Sequence, residues 1–297
     1  MTWRLGGHLL EPLFLRGLRA ALAGRAFDLC HVDCGEWVTR RAVSLLKAHA
    51  GQVINYCIDD PTGPRDGARF KAYRQAVSSY DLVVVMRPSN VEEVHRLGAR
   101  QVLRVFMSAD EVSHAPRPIT EQDRQRWQSE VLFLGTWMPE RGPFLLQLME
   151  RGVPLSIRGS HWEKAPQWPQ LQRCWRGGAV SGDDYAMAIQ CASINLGMLS
   201  KGNRDLHTTR TMEVPALAGL LCAERTAEHT GLYQEGVEAV FWRDAAECAQ
   251  LCHQLLSNPL AMQRLAHAGH QRYLASPHRN EAVMQRILQT VDFQTVS

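Results

Sequence analysis

Lysine is nearly absent from this chain: its 297 residues include four lysines against 29 arginines. A large excess of one sign of charge is missing too, with a formal net charge of +3. The arginines are scattered, with no basic arm and no basic stripe interleaved with aromatics. Nucleic acid is therefore not an expected partner. No run of about eighteen apolar residues occurs, so no membrane-spanning helix is expected. Met1 to Gly24 is apolar only in patches, broken by Arg4, His8, Glu11, Pro12, Arg16 and Arg19, and lacks the apolar core of a signal peptide. Low-complexity tracts are missing, and 45% hydrophobic residues suffice for full cores. There is no internal repeat beyond two similar α/β halves. No C-x2-C pair occurs among the eight cysteines. Cys30, Cys57, Cys191 and Cys222 fall inside apolar patterns, where a reduced thiol acts as a small hydrophobe. Cys30-His31-x2-Cys34 and Cys248-x3-Cys252-His253 are half-sites for a metal at most. Core placement is the favoured account, and no metal is expected. These features together give a cytoplasmic expectation.

What is present is alternation. Residues 9–24 carry an apolar helical stripe of Leu9, Leu10, Leu13, Phe14, Leu18, Ala21 and Leu22. Strands are expected at Phe27–Asp33, Gln52–Ile58, Leu82–Met86 and Gln101–Phe106. Helices are expected between them at Trp37–His49, Ala68–Ser79 and Asn90–Leu97. Met107–Gln128, with Pro116 and Pro118, reads as a connection with a short helix near Glu121. The pattern then resumes with strands near 130–134, 154–158, 193–197, 220–223 and 239–242. Helices are expected at Arg141–Arg151, Asp183–Cys191, Thr208–Ala218, Asp244–Leu256, Pro259–Leu274 and Asn280–Val291. Loops are expected at His161–Trp175, whose Trp162, Trp168 and Trp175 are taken to pack beneath it, and at Thr226–Gly236. The fold class is α/β with two Rossmann-like parallel-sheet domains, 1–127 and 128–297.

The densest chemistry lies in Lys201–Gly219. A buried strand leads into a basic polar loop, then a helix that Gly219 is placed to end, then another strand. Such βαβ units bind ligands at the carboxyl ends of their strands. Unpaired N–H groups and the dipole at the helix N-terminus favour an anion. Lys201, Arg204 and Arg210 add charge there, Thr208 and Thr209 offer hydroxyls, and His207 is a candidate donor. Asp205 and Glu213 are separated by seven residues. Glu213, a turn into the helix, is placed to reach a sugar attached to that anion. Arginines for a diphosphate and carboxylates for hydroxyls suggest a nucleotide-sugar. The plainer reading stands beside it at even weight: Thr208 and Thr209 as helix caps, and Arg210 with Glu213 as a surface i,i+3 pair. In the first half, Asp59 and Asp60 before Pro61 sit at a strand end, as do His31 and Asp33. They are candidates for the acceptor side, with Asp59 or Asp60 as a base. A simple turn cap is the alternative for the aspartates.

The Lys201–Gly219 stretch resembles the donor segment of the CgeB-type glycosyltransferases (spore maturation protein-like). These are similar to GT-B enzymes of families 1 and 4 with an acid-x7-acid motif. Val131-Leu-Phe-Leu-Gly-Thr-Trp-Met-Pro-Glu-Arg141 resembles the family's opening strand, glycine turn and arginine. Leu155-Ser-Ile-Arg-Gly-Ser-His-Trp162 resembles its second strand and turn, and Tyr233-Gln-Glu-Gly-Val-Glu-Ala-Val240 its F-x-E-G-x-E element. The resemblance runs in order over residues 128–290. It implies a GT-B fold with a last helix crossing back to the first domain. It also implies a donor site of Gly135, Thr136, Arg141, Arg158, Gly159, Lys201, Arg204, His207, Thr208, Thr209 and Glu213, with Asp205, Arg210 and Glu213 as the catalytic group. Glu235 and Glu238 are expected near it. Asp205 departs from the glutamate usual in GT-B enzymes.

By the same resemblance the chain opens at about the first helix of a GT-B N-domain. Met1–Gly7 is all that stands for the usual strand and glycine turn, so the first domain reads as shortened, either trimmed or with its true start upstream. The expected co-substrate is a nucleoside-diphosphate sugar, a UDP-sugar foremost, with no other cofactor. Transfer without a metal and with retention is implied, to an unidentified acceptor. Two rivals remain open: a catalytically silent partner subunit, and a nucleotide-sugar epimerase. The oligomeric state is not legible.

Overall fold

The computed structural model describes residues 10–292. Met1–Gly7 and the start of the residue 9–24 helix lie outside that range. The chain divides into two compact units. The first comprises residues 10–106, with 202–205 and 283–292; the second comprises residues 107–201 and 206–282.

The first unit is built on four parallel strands, β1 (Phe27–Asp33), β2 (Ala50–Cys57), β3 (Leu82–Val85) and β4 (Val102–Arg104), paired in sequence order. Every residue of β3, Leu-Val-Val-Val, is buried. Such a continuous apolar run marks a parallel strand covered on both faces. Helices α1 (Glu11–Leu22), α2 (Arg40–Lys47), α3 (Lys71–Ala76) and α4 (Pro88–Arg96) supply the cover. Val53, Cys57, Val83 and Val85 pack with Val43, Leu46, Tyr73 and Val94. Buried Asn55 donates to the carbonyls of Val32 (3.2 Å) and Cys34 (3.3 Å), bracing the turn after β1. The end of the chain belongs here as well. Gln52 and Gln101 donate to the carbonyls of Val291 and Thr290, each at 2.9 Å.

The second unit has five parallel strands: β5 (Ser129–Leu134), β6 (Leu155–Arg158), β7 (Ala192–Gly197), β8 (Leu221–Glu224) and β9 (Val240–Trp242). Their order is β6-β5-β7-β8-β9. Its helices are α5 (Glu121–Trp127), α6 (Arg141–Glu150), α7 (Trp168–Leu171), α8 (Gly182–Gln190), α9 (Thr209–Ala216), α10 (Ala227–Leu232), α11 (Ala245–Leu256) and α12 (Pro259–Leu274). A final helix, α13 (Asn280–Thr290), begins in this unit and ends in the first. Several starts are set by side chains: Thr120 and Asp123 form a capping box, Asp244 accepts from Ala246 and Glu247, and Asn258 precedes Pro259. The segment Met107–Gln128, expected as a connection, packs with this unit.

Two local expectations are corrected. Thr226–Gly236 is not all loop: Thr226 caps α10 by accepting from the His229 N–H. Gly219 does not supply the left-handed residue after α9; Ala218 does, with φ 57°. Gly219 sits close to the sheet, where a Cβ would lie 3.0 Å from Asn195 Nδ2 and would push its neighbours back slightly.

The chain leaves β5 for β6 on one side and returns to β7 on the other. The carboxyl ends of β5 and β7 therefore flank a topological switch point, where open α/β sheets bind ligands.

Candidate active site

The strand ends at the switch point are closed by glycine. Gly159 has φ 145°, and a Cβ there would lie 2.0 Å from the Gly135 carbonyl oxygen, so only glycine fits. Gly135 donates to the Arg158 carbonyl (2.9 Å) and accepts from Trp162 Nε1 (3.0 Å). Trp162 is buried under its loop, as expected, with its ring edge-on to Phe133, but Trp175 is exposed. Thr136 is exposed, and its carbonyl accepts from Arg141 Nη1 at 2.7 Å. Buried Arg141 also points Nη2 at the Met198 carbonyl (3.4 Å). One guanidinium thus ties the loop after β5 to the loop after β7. Arg158 lies 4.5 Å over the Trp127 ring, and burial with the neighbouring Arg126 and Arg176 lowers its pKa.

The N-terminus of α9 is fixed by a relay of hydrogen bonds. The Thr208 N–H donates to Thr211 Oγ1 at 3.0 Å, and Thr211 Oγ1 lies 2.9 Å from His229 Nε2. His229 Nδ1 faces the Glu224 carbonyl, so the proton sits on Nδ1 and Thr211 donates to Nε2. Burial drives His229 down to about 4, which keeps the ring neutral for this role. The end of β8 thereby holds the cap of α9. Pro215, inside α9, has no N–H for the Thr211 carbonyl. Buried Tyr233 replaces it, donating its hydroxyl at 2.8 Å. The sequence reading missed His229, and nothing in its local pattern distinguishes it.

Arg210 stands in the first turn of α9. Its Nη1 donates to Thr209 Oγ1 at 3.0 Å. Its Nε is buried without a hydrogen-bond partner, and among the described residues no carboxylate pairs with the guanidinium. The surface pair with Glu213 is therefore not formed. Glu213 takes Oε2 to the Tyr185 hydroxyl and has Oε1 3.8 Å from His114 Nε2. His114 Nδ1 accepts from the Asp110 N–H at 3.0 Å, which leaves the proton on Nε2, facing Glu213. Burial pushes the Tyr185 phenol far up, so it serves as a donor. Neither Tyr185 nor His114 carried a signal in the sequence.

Most of the other charged candidates are paired. Lys201 sets its ammonium on Glu224, and its N–H donates to Glu140 at 3.0 Å. His207 is buried rather than open: Nε2 accepts from the Met107 N–H at 2.9 Å, so Nδ1 carries the proton and donates to Glu228 at 2.5 Å. Arg204 and Asp205 lie in the first unit. Arg204, at φ 54°, holds Asp60 (2.7 Å) and Glu93 (2.7 Å). Asp205 is buried on Arg87 at 2.5 Å. Asp59 pairs with Arg69 at 3.0 Å. His31 meets Tyr56 edge-on, and burial lowers its pKa against the pull of Asp33. Glu235 pairs with Arg225, and Glu238 accepts from the Gln234 N–H at 2.7 Å, so both close their own loop. A cleft of about 420 Å³ opens beside the ends of β7, β8 and β9, walled by Glu140, Phe144, Met198, Lys201, Glu224 and Trp242; neither Arg210 nor Glu213 lines it.

The second unit thus carries two groups of these residues: Gly135, Thr136, Arg141, Arg158 and Gly159 at and after the strand ends, and Thr208, Thr209, Arg210 and Glu213 at the start of α9. A profile of the family described as glycosyl transferase-like matches residues 141–289, half of the chain. The chain belongs to this glycosyl transferase-like family. Solved structures agree in fold. Sucrose-phosphate synthase of Thermosynechococcus elongatus is 14% identical with a TM-score of 0.69, over 95% of this chain and 78% of that one. Anabaena Alr3699/HepE in complex with UDP-glucose is 13% identical with a TM-score of 0.66, over 98% and 85%. The α,α-trehalose 6-phosphate synthase of Burkholderia multivorans is 11% identical with a TM-score of 0.63, over 96% and 74%. The fold is that of the GT-B glycosyltransferases. No curated protein matches the chain in sequence. Among the described residues, no helix is long and apolar enough to cross a membrane.

Proposed function

We propose that this glycosyltransferase-family chain moves a sugar from a nucleoside-diphosphate sugar, a UDP-sugar foremost, to an acceptor, and that it is of the CgeB type. The observation that carries the reading is Arg210. It is a guanidinium in the first turn of a helix, with a buried Nε lacking a partner and no carboxylate on it among the described residues. A cation so placed, beside unpaired helix N–H groups, is suited to a diphosphate. Glu213 lies one turn on and accepts ribose hydroxyls in exchange for, or beside, Tyr185. The solved complex of HepE with UDP-glucose supports the choice of donor.

In this reading the charge that builds on the departing diphosphate is met by Arg210, the α9 N–H groups and the strand-end glycine loops. That chemistry needs no metal. The resemblance of Asp205 and Glu213 to the acid-x7-acid motif of GT-B enzymes supports retention at the anomeric carbon. Free cysteines suit a reducing compartment, and a cytoplasmic location is part of the proposal. One observation favours a silent partner subunit instead: Arg204, Asp205 and Asp60 are paired with carboxylates or arginines of the first unit.

Labelled nucleotide-sugars incubated with protein and candidate acceptors separate the readings. A new glycoside, formed equally with EDTA and with the donor's anomeric configuration, is expected. Isomerised free donor would make the chain an epimerase, and unchanged donor that nonetheless binds would make it a silent subunit.

A further inference from the structure

Three thiols converge in the core of the second unit. Cys222 lies on β8, whose register sets it between Leu196 of β7 and Val240 of β9. Cys248 and Cys252 lie one turn apart on α11, so both face the same way. All three side chains are fully buried, and the three Sγ atoms lie within 4.8 Å of one another. The sequence shows only the pair on α11, which reads as core filling. The third thiol comes from a strand 26 residues earlier and joins it through the packing of α11 on the sheet.

We propose that Cys222, Cys248 and Cys252 form a binding site for a soft monovalent metal ion, Cu(I). Sulfur-only donors select such an ion, and three of them give the trigonal coordination it accepts, whereas a structural zinc site asks for four ligands. The cluster belongs to an apolar core that also holds Leu148, Ile194, Leu196, Val240 and Leu255. Each cysteine that binds loses its S–H proton to solvent, and Cu(I) forms a thiolate bond in its place with no change of oxidation state. The ion would pin α11 to β8 of the sheet. Because no sulfur is exposed, loading needs α11 to open, and the ion enters fastest during folding.

The test uses full-length reduced protein under anaerobic conditions, refolded with or without Cu(I) held by a competing chelator, then gel-filtered. One equivalent of retained copper, a sulfur-to-copper charge-transfer band and a raised melting temperature are expected. Cys248→Ala and Cys252→Ala should each lose at least tenfold in affinity, while Cys34→Ser, in the first unit, should not. Folded wild type that retains no copper overturns the proposal. So does copper retained by both α11 variants, since other thiols would then hold it. If those variants fail to fold, the sulfur count around copper in the wild type decides by X-ray absorption: three supports the site, and two or fewer contradicts it.

Discussion

At the scale of single residues, Arg204 is held by two carboxylates, whereas Arg210 has none among the described residues. Arg204 pairs with Asp60, whose carboxylate is almost fully buried. Arg204→Ala strands that charge and should cost about 3 kcal/mol of stability in urea unfolding. Arg210→Ala removes no such pair. It should leave the unfolding midpoint nearly unchanged while weakening nucleoside-diphosphate binding by about 2 kcal/mol, roughly 30-fold. His229 adds a dependence on pH. It titrates at about 4 when folded, below the ordinary histidine value of about 6.5. The unfolded chain therefore takes the proton first as pH falls. The stability that His229 contributes is whole above about pH 6.5 and is lost towards pH 4, by about 3 kcal/mol at most. Denaturation across that window should show the loss in wild type and a flatter profile in His229→Gln.

At the scale of elements, α9 is the piece whose placement depends on distant partners. Tyr233→Phe leaves the Thr211 carbonyl buried without a donor and should cost about 1–3 kcal/mol. Pro215→Ala supplies an N–H to the same carbonyl. Combined with Tyr233→Phe it should recover part of that loss, and additivity in the double-mutant cycle would show that the two groups do not share the carbonyl. The strands themselves were legible in the sequence. Leu82–Val85 and Val131–Leu134 are unbroken apolar runs because parallel strands are covered on both faces. The helix starts at Thr120, Asp244 and Asn258 were legible because a cap is a local signal. Helix α10 was not, since Gly231 and Thr230 lower helix propensity and only its Thr226 cap announces it. In the candidate site, Gly135, Gly159 and Arg210 were legible as a turn-and-helix pattern. The partners of Arg204 and His207 were not: Asp60 is 144 residues away and Met107 is 100. Periodicity carries no information about pairings at that separation. The same limit hid the third thiol of the α11 cluster.

At the scale of the whole molecule, the two units share an α/β plan, but their sheets differ in order. The first runs β1-β2-β3-β4 in sequence, so consecutive strands are neighbours throughout. The second reverses between β5 and β7 and so creates a switch point. In the proposed function, that difference is the reason for seating the donor on the second unit. The measurement that tests this most directly is calorimetric binding of UDP, GDP, dTDP, ADP and CMP to wild type, Arg210→Ala and Glu213→Ala. One nucleoside diphosphate should bind wild type and, at about a hundred times its dissociation constant, stabilise it by about 2.7 kcal/mol. Both variants should remain folded and lose that binding. Folded wild type that binds none of the five, or variants that bind as tightly as wild type, would contradict the account.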